Sequence, residues 1–302
     1  MSKTILSMKN ICKSYNGFKA LDNVSIEINR GDIYGIVGNN GAGKTTLMRL
    51  ISGQSYCDSG EIRLFGSSDD ILKERKRIGC LIENPGFFHN MTVYDNLNYF
   101  RIQFGIPGKQ SINRVLEEVG LVAARNKKYR QLSLGMKQRL GIALAFLHCP
   151  EFLILDEPIN GLDPEGIIEI RNILLNLNKK HNTTILISSH ILSEMAYLVT
   201  KYAFIKKGKI VEEISDYELQ QKCNNYLDIE VDNVNAMSVI LEKKLNFSNY
   251  KVYPDNHIHL FEGIDESKRI CEIAVANDIG ILGIVKRKVN LENYYMDMMG
   301  EE

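Results

Sequence analysis

The run Gly38-Asn39-Asn40-Gly41-Ala42-Gly43-Lys44-Thr45 fits the pattern G-x-x-x-x-G-K-[ST]. Glycines in such a run let backbone N–H groups close around phosphate oxygens with no Cβ in the way. A lysine at position 44 can reach the β- and γ-phosphates of a nucleotide, and the Thr45 hydroxyl can bind Mg²⁺. Gly38, Asn39, Asn40, Gly41, Ala42, Gly43, Lys44, Thr45 and Thr46 are therefore the candidate phosphate-binding residues. Further along, the apolar run Phe152-Leu153-Ile154-Leu155 ends in Asp156-Glu157. Asp156 stands where a carboxylate would hold Mg²⁺, and Glu157 where a base would orient an attacking water. Asp-Glu-Pro alone reads equally well as a turn closing a strand. Paired with a glycine loop that also points at Mg²⁺, it reads as the other half of one site.

Both halves need elements to carry them. Asp32 to Val37 reads as a strand leading into the loop, and Thr46 to Ile51 as the helix leading out. A helix N-terminus there completes the anion site. Phe152–Leu155 and Thr184–Ile187 are short apolar runs suited to buried parallel strands. Between them, Ile167, Ile170, Ile173, Leu174 and Leu177 recur at helical spacing, so the unit is βαβ. Residues from about Ile5 to Val37 look like a strand-rich N-terminal layer, with Asn16-Gly17 as a turn. Gly60–Phe65 is another strand candidate. Residues Glu83 to Arg130 look mostly helical, with helices expected around Val93–Leu97 and Ile112–Val119. After about Ser215 the pattern changes. Strands at 226–231, 250–261 (a hairpin turning at Asp255-Asn256) and 281–289 alternate with helices at 236–245 and 266–276. That order, βαββαβ, suggests a ferredoxin-like small domain. Leu291 to Met299 is a candidate final helix. The expected domains are 1–215 and 216–302, with a helical subdomain at about 84–135.

Composition narrows the function. The 302 residues are 44% hydrophobic and 25% charged, ordinary for a globular protein. Lys plus Arg and Asp plus Glu are both 37, so the net charge is zero and nucleic acid is not an expected partner. The six cysteines (12, 57, 80, 149, 223 and 271) never form C-x-x-C and read as reduced thiols of a cytosolic protein. A metal site from Cys223, Cys271, His257 and His259 is conceivable. His257 and His259 also sit two apart, which on a strand is simply one solvated face. No signal peptide is expected at the N-terminus. No apolar run approaches the ~20 residues needed to span a bilayer, so any membrane work requires a partner that supplies the channel.

Leu132-Ser133-Leu134-Gly135-Met136 lies just upstream, with Ser133 23 positions before Asp156. Here the chain resembles the ATP-binding subunits of ABC transporters, whose signature reads Leu-Ser-Gly-Gly-Gln. It departs at Leu134 and Met136 and keeps Ser133 and Gly135, which carry the family's phosphate contacts. The resemblance covers roughly the first 215 residues. It implies a P-loop NTPase fold of the α/β class: a RecA-like core, an antiparallel β-layer and a helical subdomain, followed here by a small α+β domain. It also implies that Tyr15 stacks on adenine, that Asn160-Gly161-Leu162-Asp163 is the loop linking two sites of a dimer, and that His190 is the switch histidine at the γ-phosphate. The family places a glutamine where this chain has Glu83. A carboxylate there can coordinate Mg²⁺ or orient water, but only as an acceptor. Glu83, with Asn84-Pro85-Gly86-Phe87-Phe88 after it, is similar to the bacitracin-export and lantibiotic-immunity branch, as is the C-terminal extension.

The resemblance implies a head-to-tail pair of ATP-binding subunits with ATP between the Lys44 loop of one and Ser133-Gly135 of the other. Glu157 and His190, with Glu83, would be catalytic; Thr45, Asp156 and Glu83 would hold Mg²⁺. Opening and closing would drive an integral membrane permease from the cytoplasmic face. The segment from Glu83 to about Phe104 would touch that permease, with Phe87 and Phe88 as exposed candidates if they are not spent on the subunit's own core. The rivals are a soluble ABC ATPase in a remodelling assembly and the same machinery exporting another drug, a lipid or an ion. Lys44 and Asp156 are only 112 positions apart, which leaves no room for the coiled coil of the repair ATPases.

Overall fold

Asn16 and Gly17 both take left-handed backbone, with φ of 47° and 83°. That geometry matches the twist of a two-residue hairpin. It folds β1 (Thr4–Tyr15) back on β2 (Phe18–Asn29) as an antiparallel pair. The next strand, β3 (Ile33–Val37), leaves this layer. All five of its residues are buried, so both faces need cover, and it joins a parallel sheet. The N-terminal layer thus differs from the expected 5–37 stretch. Its third strand is β4 (Ser59–Leu64), which follows α1 (Lys44–Ser52) and pairs with β1.

A short helix, α2 (Ile71–Glu74), leads to β5 (Ile78–Leu81). The stretch expected to be mostly helical holds two α-helices joined by loops, α3 (Val93–Gln103) and α4 (Gln110–Glu118). Thr92 caps α3 by accepting from Asp95 N–H. Then come α5 (Leu134–Ala145), β6 (Phe152–Leu155), α6 (Pro164–His181) and β7 (Thr184–Ser189). Asp163 caps α6 and Pro164 opens it. A short α7 (Leu192–Met195), β8 (Lys201–Lys206) and β9 (Lys209–Ser215) complete a six-stranded sheet of order β5-β6-β7-β3-β8-β9. Every neighbouring pair is parallel except β8 with β9. Leu47, Met48, Leu50 and Ile51 of α1 share one buried cluster with Ile5, Met8 and Ile26 of the antiparallel layer and Ile36, Ile154 and Leu186 of the parallel sheet. Each such side chain contributes about 1.5–3 kcal/mol on burial. The helix that begins at Lys44 is thereby fixed by both sheets.

The computed structural model describes residues 3–83, 85–222, 225–288, 291, 294–296 and 300. The chain divides into two compact units, Met1–Asp216 and Tyr217–Glu302. After α8 (Asp216–Lys222), the second unit runs β10 (Asn225–Val231), α9 (Val234–Lys243), β11 (Tyr250–Tyr253), β12 (His257–Leu260), α10 (Ser267–Val275) and β13 (Ile281–Lys288). Its four strands form an antiparallel sheet of order β11-β12-β10-β13. Leu227, Ile229 and Val231 of β10 pack with Met237, Ile240 and Leu241 of α9 and Ile270 and Ala274 of α10. Most of the candidate helix at 291–299, and Cys223, lie outside the described residues. Among the described residues no helix is long and apolar enough to cross a membrane.

Candidate functional site

Four adjacent parallel strands, β5, β6, β7 and β3, end on the same side of the sheet. The carboxyl ends of parallel strands are where open α/β sheets bind ligands. Glu83 follows β5, Asp156 and Glu157 follow β6, His190 follows β7, and the Gly38–Thr45 loop follows β3. Backbone hydrogen bonds tie these ends together. Asp156 N–H donates to Leu81 O at 2.8 Å, and Gly38 N–H to Ser189 O at 3.3 Å.

The loop turns into α1 at Gly43, whose φ of 113° is closed to ordinary L-residues. A Cβ there would lie 2.7 Å from Ala20 O. No side chain caps this N-terminus, so its orphan N–H groups face the loop. Lys44 is 4% exposed. Its ammonium group carries three donors and meets three acceptors: Gly38 O at 2.6 Å, Asn39 O at 3.2 Å and Glu157 Oε1 at 3.1 Å. A buried ammonium requires that compensation. A phosphate entering the loop would compete with Glu157 for it.

Thr45 Oγ1 donates to Asp156 Oδ2 at 2.7 Å. A hydroxyl and a carboxylate oxygen thus meet as hard ligands, the donor set that suits Mg²⁺. Glu157 has left-handed backbone, φ 46°. Its Oε2 accepts from Asn160 Nδ2 at 3.1 Å and lies 3.0 Å from His190 Nδ1. The structure therefore brings Gly38, Asn39, Lys44, Thr45, Asp156, Glu157 and His190 into one network.

Other predicted residues stand apart from it. Tyr15, 41% exposed, ends β1 with its hydroxyl 3.2 Å from Ser55 Oγ and Lys13 Nζ 5.2 Å from its ring centre. Ser133 caps α5 by accepting from Met136 N–H at 3.3 Å. Ser133 and Gly135 line a different cavity of about 500 Å³ with Gly161, Leu162 and Asp163. Leu134 at this helix start is half exposed. Glu83 lines a cavity of about 310 Å³ with Asp156, Lys137 and Gln138, but its carboxylate is paired with the guanidinium of Arg49. The expected exposure of two adjacent phenylalanines is half right. Phe87 is buried against Phe100 and Tyr129, with ring centres 5.7 and 5.1 Å away. Phe88 is 40% exposed and meets the exposed ring of Tyr99 at 4.8 Å.

Two residues at the site carried no signal in the sequence. Ser188 is fully buried; its Oγ donates to Asp156 Oδ1 at 2.6 Å and accepts from Glu157 N–H at 2.9 Å. Glu194, one turn past His190, accepts from Ser189 Oγ at 3.2 Å. Burial raises the Glu194 carboxyl above its usual range, outweighing the Ser189 hydrogen bond.

Comparison with known proteins fits this geometry. The family model described as ABC transporter matches residues 21–160. The bacitracin transport ATP-binding protein BcrA of Bacillus licheniformis is 40% identical over 301 residues, covering 98% of each chain. The chain belongs to the ABC transporter ATP-binding proteins. This family hydrolyses ATP to drive transport, and the protein is accordingly an ATP-binding ATPase subunit. The lantibiotic transport ATP-binding protein SrtF of Streptococcus pyogenes is also 40% identical, over 230 residues, 75% of this chain and 99% of that one. The ADP conformation of MJ1267, an ATP-binding cassette of an ABC transporter, superposes with a TM-score of 0.67 at 29% identity, over 72% of this chain and 93% of that one. The cassette fold expected from the sequence is thus present. Among the described residues no group of three His, Cys, Asp or Glu could hold a metal ion, and Cys223 of the candidate Cys223, Cys271, His257 and His259 site lies outside them.

Proposed function

We propose that this ATPase subunit powers export of a peptide antibiotic of the bacitracin or lantibiotic type, for resistance or self-immunity. The observation that carries the reading is the 98% coverage shared with the bacitracin transport protein, which runs through the second unit as well as the cassette. The lantibiotic transport protein supports the same branch over three quarters of the chain.

In this reading the γ-phosphate takes the place of the Glu157 carboxylate, which lies 3.1 Å from Lys44. Released, Glu157 accepts a proton from the attacking water while His190 and Asn160 keep its carboxylate aimed. Thr45 and Asp156 would hold Mg²⁺, with Glu83 at the rim once released from Arg49, and the ion would supply neutralisation of phosphate charge. Ser133 and Gly135 point the start of α5 at the ATP of a second subunit, and the dipole of that helix favours the phosphate charge. Tyr15 stacks on the adenine. In the same reading the exposed side chains Phe88, Tyr99 and Ile102 offer a contact for an integral membrane permease, with the subunit working from the cytoplasmic face of the membrane.

The test is an affinity pull-down from detergent-solubilised membranes of the native host, followed by bacitracin and lantibiotic challenge of a deletion strain. Recovery of one or two polytopic membrane proteins, with a deletion strain sensitised to a peptide antibiotic, is the expected result. Recovery of soluble proteins alone would sink the transport reading. Permease recovery with unchanged antibiotic sensitivity would sink the cargo.

A further inference from the structure

We propose that Ser188 is a positioning residue for hydrolysis: one buried hydroxyl sets the orientation of the Asp156 carboxylate and the backbone of Glu157. The proposal rests on the metal and base roles given above to those two residues.

A serine hydroxyl has one proton to donate and lone pairs to accept with. Ser188 uses both. Its proton goes to Asp156 Oδ1 at 2.6 Å, and it receives Glu157 N–H at 2.9 Å. No part of Ser188 is exposed, so water cannot stand in for the hydroxyl. It lies on β7, two residues before His190, and β7 pairs with β6 in parallel. The next strand therefore holds the peptide that follows β6.

Two consequences come from this placement. With Oδ1 engaged by Ser188, the other oxygen of Asp156 is the one that meets Thr45 Oγ1, at 2.7 Å. A carboxylate tied at one oxygen cannot turn freely, so Oδ2 stays beside the Thr45 hydroxyl, its partner in the proposed Mg²⁺ donor set. The peptide of Glu157 is held at φ 46°, a conformation that non-glycine residues keep only when surrounding contacts impose it. That turn brings the Glu157 carboxylate within 3.1 Å of Lys44 and 3.0 Å of His190. Removing the hydroxyl frees the Asp156 carboxylate, strands a buried N–H and loosens the Glu157 turn in one change.

The experiment compares the full chain with Ser188→Ala, Ser188→Thr and Asp156→Asn, and with Ser188→Ala combined with Asp156→Asn. Steady-state turnover separates kcat from KM, and titration of Mg²⁺ at fixed ATP gives the metal requirement of nucleotide binding. Ser188→Ala is expected to lower kcat about tenfold to a hundredfold, the weight of one hydrogen bond to a charged group, with KM within about threefold. The Mg²⁺ needed for half-saturation rises about tenfold, and metal-free nucleotide affinity stays put. Ser188→Thr, which keeps the hydroxyl, restores most of both. In the Asp156→Asn background, Ser188→Ala leaves the Mg²⁺ requirement where it was. A Ser188→Ala protein with kcat within twofold and an unshifted Mg²⁺ requirement would overturn the proposal, as would a folded Ser188→Thr that behaves like the alanine. If Asp156→Asn itself leaves the Mg²⁺ requirement unmoved, the metal role of Asp156 fails first and the positioning role falls with it.

Discussion

Each unit of this chain holds a carboxylate at the centre of a polar cluster, and the two clusters are built on opposite principles. Asp156 sits at the end of a parallel strand and is held by two neutral hydroxyls, Thr45 and Ser188. Asp228 sits in the middle of β10 among cations and potential cations. His257 Nδ1 lies 2.7 Å from its Oδ1, His259 Nε2 3.7 Å from the same atom, and Arg287 Nε 2.8 Å from Oδ2. Hydroxyls leave a carboxylate's charge uncancelled, and a cation can still be recruited to it. A guanidinium cancels that charge within the fold. The difference teaches that a carboxylate's partners, more than its burial, decide whether its charge is left open to a ligand or cancelled within the fold.

The sharpest break of that comparison is at Lys44. Lys44→Ala should weaken ATP binding by about thirtyfold or more, the scale of losing a desolvated charge partner. Equilibrium titration with a fluorescent ATP analogue measures it, and near-native affinity would remove Lys44 from the phosphate site. Next come two isoleucines that are equally buried, Ile154 on β6 and Ile229 on β10. Replacing either by Ala should cost about 2–5 kcal/mol of stability in its own unit by denaturant unfolding. Only Ile154→Ala, two residues before Asp156, should also weaken Mg²⁺-ATP binding; an equal loss in Ile229→Ala would mean that the two units are not energetically separate.

The smallest effect belongs to the histidines. The hydrogen bond that the His257 ring donates to Asp228 raises His257 above the usual imidazole range, whereas burial lowers His259 despite the same carboxylate. His257 therefore favours the fold fully below about pH 6.5, and that support is lost as pH rises through its folded midpoint. His259 runs the other way: its support is present above about pH 6.5 and lost as pH falls through its folded midpoint. NMR titration of the ring protons should show two midpoints on either side of that value. Asp228→Asn should bring the His257 midpoint down, and coincident midpoints in the native protein would show the carboxylate to be inert.

Much of the site is local in sequence and could be read there. A glycine loop between an apolar strand and a helix is contiguous from Ile33 to Ile51, and an apolar strand ending in Asp156-Glu157 is contiguous too. The βαββαβ order of the second unit followed from alternating strand and helix periods. What stayed hidden depends on tertiary neighbours. Ser188 lies in a β-strand run that any sheet would bury, and its value comes from facing β6. Phe87 and Phe88 are adjacent and identical, and only the packing of Phe100 and Tyr129 against one of them tells them apart. Strand β3 follows directly on its two predecessors in the chain, yet its uninterrupted, wholly buried run sends it to the other sheet. The Arg49 partner of Glu83 was also out of reach, since 34 residues separate them.

Glu157 is where these strands converge, so Glu157→Gln is the most direct test. Gln keeps the shape and loses the base. With radiolabelled ATP, the variant should bind nucleotide at near-native affinity, lose turnover by about a thousandfold, and elute from a sizing column as an ATP-bound dimer. Turnover within a few-fold of native would contradict the assignment of Glu157 as the base that orients water.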